Sequence, residues 1–321
     1  MLKRMSLRKI TVASLALFAL LLLYLMPDSK EEAKYTLSNN NIEYIYNNTK
    51  EVVYLLDSNN YVARTTIKGC ECNTLETAKD VTESLIIDGK NNNSIPNGFR
   101  AIIPSGTEVL NLDLKDKTLT INFSKELLDI KEEYEDKMLE SIIYTLTSID
   151  GIDKVIIKVE GKTLEKLPNS KKILSTILDK SYGINKKYDI VTPTNIDSYT
   201  IYYVSKYNDN EYYVPVTKYV NKDKIDKVKV IINELSSSPI YENNLMSYLN
   251  SDTSLINYTQ ENDILKLNFD DSIYSSKNSN NILEEVIYTI SLSLNDTYNI
   301  KEVIFEVNNK EIYKKSLKTI E

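Results

Sequence analysis

The chain repeats itself once, and the repeat restricts its fold to a duplicated module. Asn122-Phe123 closes the strand-like Thr118-Leu119-Thr120-Ile121, and Asn268-Phe269 closes Ile264-Leu265-Lys266-Leu267. A helix is predicted after each. Tyr134, Met138, Ile142 and Leu146 in the first copy, and Ile282, Val286, Ile290 and Leu294 in the second, recur every four residues, the spacing of one helix face. Within these helices Ile143-Tyr144-Thr145-Leu146 corresponds to Ile287-Tyr288-Thr289-Ile290. Each is followed by a polar break and a strand, Asp150 to Val159 and Asn299 to Val307, after which Gly161-Lys162 and Asn309-Lys310 turn the chain away. Three elements in one order with matched exits amount to an internal duplication.

The upstream halves agree. Val52 to Leu56 and Tyr61 to Ile67 flank an Asp57-Ser58-Asn59-Asn60 hairpin turn, and Thr74 to Ile87 reads as a helix with Thr74 as N-cap. Thr200 to Val204, Tyr212 to Val216 and the stripe Ile225, Val228, Ile232, Leu235 repeat that order, and Asn250-Ser251-Asp252-Thr253 stands where Pro104 to Thr107 stood. Each unit reads β-β-α-β-β-α-β. The expected class is α+β, two tandem domains, each a mixed sheet with helices packed on one face.

These residues carry a resemblance. Ile103-Pro104-Ser105-Gly106-Thr107, Ile121-Asn122-Phe123-Ser124, Tyr144-Thr145-Leu146 and Gly151-Ile152-Asp153-Lys154-Val155 running to Val159-Glu160-Gly161 resemble the GerMN-domain family of sporulation and germination proteins. The second copy matches mainly through Phe269, Tyr288-Thr289 and its last strand. The resemblance implies domains at 51–165 and 199–321 joined by a connector at 166–198, with a fold similar to ring-building modules of export channels. It implies a protein tethered outside the mother-cell membrane, facing the forespore, and it assigns no catalytic residues.

Lys3, Arg4, Arg8 and Lys9 precede an uncharged run from Ile10 to Met26. Seventeen residues rising about 1.5 Å each span roughly 25 Å, the short end of a transmembrane helix. The charge bias puts 1–9 in the cytoplasm, 10–26 in the membrane and the rest outside. Leu23-Tyr24-Leu25-Met26-Pro27 offers no small-residue cleavage site, and no Cys precedes position 70, so an uncleaved anchor is expected in place of the lipid of lipoprotein-type relatives. Residues 27–50, rich in Asn, Lys and Glu, read as a flexible stalk. With 46 acidic against 39 basic residues, four of the latter before the anchor, the outer portion is acidic and no nucleic-acid partner is expected.

The chain has no His, which excludes histidine-based triads, histidine zinc sites and imidazole bases. Its seven Gly form no phosphate-binding loop. Cys70 and Cys72 are too few for a structural zinc; they are expected as free thiols at a turn after Gly69, with a local disulfide as the alternative. The carboxylate pairs Asp270-Asp271, Glu132-Glu133 and Glu284-Glu285 could serve glycan hydrolysis, but neighbours on a helix diverge, and Asp270-Asp271 suits a helix cap. Ser124-Lys125 and Ser170-Lys171 read as helix starts, with Ser124 and Ser170 as N-caps. Seven tyrosines, Tyr199, Tyr202, Tyr203, Tyr207, Tyr212, Tyr213 and Tyr219, crowd one hairpin; exposed, they would stack on glycan or a partner, whereas strands also favour aromatics in their core.

No catalytic, cofactor or metal residue is therefore assigned. The expectation is a non-enzymatic, membrane-anchored scaffold. Its partners would be other proteins of a sporulation envelope complex or further copies of itself, with peptidoglycan binding or hydrolysis as the alternative.

Overall fold

Each copy opens with a hairpin, and in copy one the turn is fastened by its own side chain. The structure is a computed structural model that describes residues 50–70, 72–221, 225–237, 240–241, 244–276, 280–298 and 300–317. The tail and anchor expected at 1–9 and 10–26, and the stalk up to residue 49, lie outside the described residues, among which no helix is long and apolar enough to cross a membrane. In copy one, β1 (Lys50–Asp57) and β2 (Val62–Lys68) pair antiparallel around Asp57, whose Oδ1 accepts from the backbone N–H groups of Asn59 and Tyr61, both at 2.8 Å. There follow α1 (Thr74–Ser84), β3 (Phe99–Arg100), β4 (Val109–Lys115), β5 (Thr118–Phe123), α2 (Glu135–Leu146), β6 (Lys154–Val159) and β7 (Lys162–Thr163). The connector contributes β8 (Lys187–Asp189).

Copy two runs β9 (Ile196–Tyr207), β10 (Asn210–Asn221), α3 (Lys227–Ser237), β11 (Ile240–Tyr241), β12 (Leu245–Met246), β13 (Leu255–Glu261), β14 (Ile264–Phe269), α4 (Glu284–Tyr298), β15 (Glu302–Val307) and β16 (Lys310–Ser316).

The strands do not form one sheet per copy. The two opening hairpins join edge to edge into a single eight-stranded sheet in the order β11-β12-β9-β10-β2-β1-β3, with β8 pairing parallel to β10. The remaining strands make two separate four-stranded mixed sheets, β4-β5-β6-β7 and β13-β14-β15-β16, in which β5 with β6 and β14 with β15 are parallel. This corrects the expectation of helices on one face. Helix α2 buries ten of its twelve residues, from Glu135 to Leu146, and a helix enclosed nearly all round needs partners on more than one side. It packs against β1 in the shared sheet and β6 in its own, and α4 packs against β9 of the shared sheet.

The Asn-Phe signature has a physical reason. Phe123 and Phe269 are fully buried, while Asn122 and Asn268 accept from the backbone N–H of Gly161 (2.8 Å) and Asn309 (2.9 Å) in the next hairpin turn. Both turns carry two consecutive residues with positive φ, Glu160-Gly161 and Asn308-Asn309, the backbone of a type I′ turn.

Three local readings are corrected. The N-cap of α1 is Asn73, not Thr74: its Oδ1 accepts from the N–H groups of Leu75 and Glu76, and Glu76 returns the bond as a capping box. Ser124 precedes only a 3-10 turn, Lys125–Asp129, and its hydroxyl accepts from Glu108 N–H across the strand pair instead. Ser170 opens no helix. The buried carboxylate of Glu135 takes the N–H groups of Asn169 and Ser170, Lys171 turns back at φ 59°, and Leu178 then bridges to Val155 along the edge of β6 that the two-residue β7 leaves open.

Candidate functional site

The residue types that carry chemistry gather where the copies meet. Arg64 of β2 pairs with Tyr213 of β10 in antiparallel register. Tyr54 on β1 and Tyr202 on β9 hold equivalent places. Each donates its backbone N–H to a hydroxyl on its own copy's long helix, Thr145 Oγ1 at 2.9 Å and Ser293 Oγ at 2.8 Å, which moves the match between the helices one turn on from the expected Thr145–Thr289 correspondence. Their phenol oxygens meet each other at 2.8 Å, so the two modules face across a local two-fold relation.

From that pair a buried network extends. Tyr202 donates to Asp296 Oδ2, Lys180 Nζ reaches Asp296 Oδ1 at 2.6 Å, and Tyr144 donates to the carbonyl of Lys180 at 3.0 Å. Burial raises the Tyr202 and Tyr54 hydroxyls above the usual phenol range and the Asp296 charge adds to it, so both remain donors. Burial pulls Lys180 down, but Asp296 outweighs it and holds the ammonium charged. An ion pair with a 3% exposed carboxylate is retained because each of its oxygens has a donor.

The connector supplies a clamp. Asn185 accepts from Val62 N–H at 2.9 Å and donates to the carbonyls of Val62 (2.8 Å) and Pro215 (2.7 Å), tying β2 to β10. Its own N–H goes to Glu140, which also pairs with Lys186 at 2.7 Å. Burial raises the Glu140 carboxyl although Lys186 opposes it. Asp57, raised by burial too, accepts from Tyr212 at 2.9 Å, so the copy-one turn is held by a copy-two phenol. The connector is thus built into the junction. The arrangement fixes protons and charges in place, with each of these groups engaged by another; it is suited to locking the modules.

The tyrosine row is interior. Tyr199, Tyr202, Tyr203, Tyr212 and Tyr213 are buried and Tyr207 and Tyr219 half-buried, because the strands that carry them lie at the centre of the shared sheet. The carboxylate pairs are scattered. Asp270 caps a 3-10 turn through Ser272 N–H, Asp271 accepts from Asn308, Glu132 and Glu133 are exposed, and Glu284 and Glu285 lie in the first turn of α4. Cys70 and Cys72 are bonded rather than free, the turn bringing their Cα atoms to 5.3 Å, within bridging range. Asn185, Lys180, Asp296 and Glu140 escaped sequence reasoning; only Glu140, a carboxylate set among Met138, Leu139, Ile142 and Ile143, carried a signal.

Away from the junction both copies display one apolar side chain at the same place. The edge strands β4 and β13 bulge at Val109/Asn111 and Leu255/Asn257, and the extra residues, Leu110 and Ile256, are 46% and 52% exposed. Beside the first lies a cleft of about 280 Å³ lined by Leu75, Glu76, Lys79 and Val109 to Leu112.

Known proteins match this architecture. The family described as Germane, sporulation and spore germination, matches residues 44–165 and 200–313. The spore germination protein GerM of Bacillus subtilis (strain 168) is 34% identical over 263 residues, covering 80% of this chain and 71% of the relative. The solved tandem GerMN domains of the sporulation protein GerM from Bacillus subtilis superpose with a TM-score of 0.73 at 33% identity, covering 81% of this chain and 91% of that one.

Proposed function

Because the chain belongs to the Germane family of sporulation and spore-germination proteins, we propose that it acts without turnover, as an assembly protein of spore formation anchored through residues 10–26. The two modules stand outside the membrane and hold together an envelope complex between mother cell and forespore. One observation carries the reading: the copies share one sheet and one buried network, so their outer four-stranded sheets are displayed at a fixed separation and angle. A block of that kind works as a spacer with two faces, and its contacts are strand edges such as β4 and β13.

The test is a photo-crosslinking amino acid at Leu110 or Ile256 of the full chain in sporulating cells, read by mass spectrometry. Envelope proteins of the sporulation machinery, or further copies of the chain, support the proposal. Release of muropeptides from purified peptidoglycan, abolished by Asp270→Asn, overturns it in favour of a wall hydrolase. The wall-binding reading has lost its aromatic platform, since five of the seven tyrosines are buried.

A further inference from the structure

Cys70 and Cys72 lie on the short link between the end of β2 and Asn73, the N-cap of α1. A bridge spanning two positions removes roughly half the chain entropy that a 15-residue loop would, so it does little for the fold. Copy two supplies the control within the same molecule. Its β10-to-α3 link reads Lys222-Asp223-Lys224-Ile225-Asp226, without cysteine, and β10 and α3 still form.

The bridge is also reachable and asymmetric. Cys70 is half-exposed and Cys72 exposed. The Cys72 sulfur lies 3.9 Å from the hydroxyl of Thr77, itself 6% exposed; a bridged sulfur has no hydrogen, so the hydroxyl is the donor. Cys72 immediately precedes the cap of an eleven-residue helix, whose N-terminal dipole favours a thiolate. Glu76 opposes that field, but its carboxylate is engaged by the Asn73 N–H. Cys72 is therefore the better leaving group of the two.

We propose that Cys70–Cys72 is an exchangeable disulfide that takes two electrons from external thiols, an activity separate from the scaffold role. An external thiolate attacks Sγ of Cys70, the sulfur–sulfur bond breaks, and its electron pair leaves on Cys72 as a thiolate stabilised by Thr77 and α1. A second external thiolate attacks the external sulfur of the mixed disulfide and expels Cys70 as a thiolate. The external thiols end as a disulfide, and their two protons pass to Cys70 and Cys72. Exposed, weakly stabilised bridges are the ones that exchange.

The test uses the full chain, purified oxidised and incubated separately with millimolar reduced glutathione and with reduced, unfolded ribonuclease A, then acid-quenched and mapped by mass spectrometry. The expected result is a mixed disulfide on Cys70 and thiol oxidation about tenfold or more above that of Cys70→Ser/Cys72→Ser. Exchange in the glutathione arm alone assigns the activity to small thiols, and exchange with ribonuclease extends it to proteins. Thr77→Val should slow exchange severalfold and raise the pH at which reduced Cys72 alkylates, with the melting midpoint unchanged. A pair that stays oxidised in both arms, that is found as free thiols after purification in air, or that performs no better than the double variant overturns the proposal.

Discussion

At the scale of single residues, the phenol of Tyr202 does more than fill space. It donates to Asp296 and meets Tyr54 across the junction. Tyr202→Phe removes one of the two donors on a 3% exposed carboxylate and is expected to cost about 1–3 kcal/mol in urea unfolding. Tyr54→Phe, which leaves Asp296 its donors, should cost about 1 kcal/mol, and the two should couple in a double-mutant cycle. Lys315 on β16 offers a pH test. Burial lowers its ammonium from 10.5 to about 8, with Arg64 adding to the fall and Glu284 opposing it, and its Nζ lies 2.6 Å from the Tyr288 hydroxyl. Between about pH 8 and 10.5 the unfolded chain holds the proton that the folded one has released, so this residue's contribution to stability rises with pH through that window. Lys315→Met abolishes the rise. Urea midpoints at neutral and alkaline pH should show the native chain gaining on the variant as pH increases; a gap independent of pH would refute the assignment.

Between residue and domain, the elements that sequence made legible are those with a period. The hairpin strands, helices α1 to α4 and the Asn-Phe strand ends could be placed because alternation, four-residue spacing and turn residues are local signals. The connector had none. Its path depends on Glu135 capturing Asn169 and Ser170 from 34 and 35 positions away, and on Asn185 reaching β2 and β10 at once. The tyrosines were visible as a cluster but their direction was not, because a strand buried on both faces has the same composition as an aromatic binding surface. Asn185→Ala removes three hydrogen bonds and strands the Val62 and Pro215 carbonyls, a loss of about 2–3 kcal/mol. The expected readout is faster tryptic cutting at Lys186 and Lys187 than in the unaltered chain, with β-sheet circular dichroism retained.

For the whole molecule, the decisive surface is the seam between β2 and β10. Ala63 is fully buried there and packs with the copy-two core although it belongs to copy one, so copy one contributes a residue to the core of copy two. Ala63→Arg forces a long charged side chain into that seam. Calorimetry should then resolve two transitions where the unaltered chain melts in one, and a variant that still melts in one step would show the modules to be coupled elsewhere.

The near-symmetric facing of Tyr54 and Tyr202 has a consequence for concentration. Two identical proteins meeting through such a face would come apart on dilution, whereas two copies covalently strung together meet at an effective concentration set by the linker alone. What a homodimer must re-establish with every encounter, this polypeptide inherits from its gene, and its pairing persists however few molecules the cell makes.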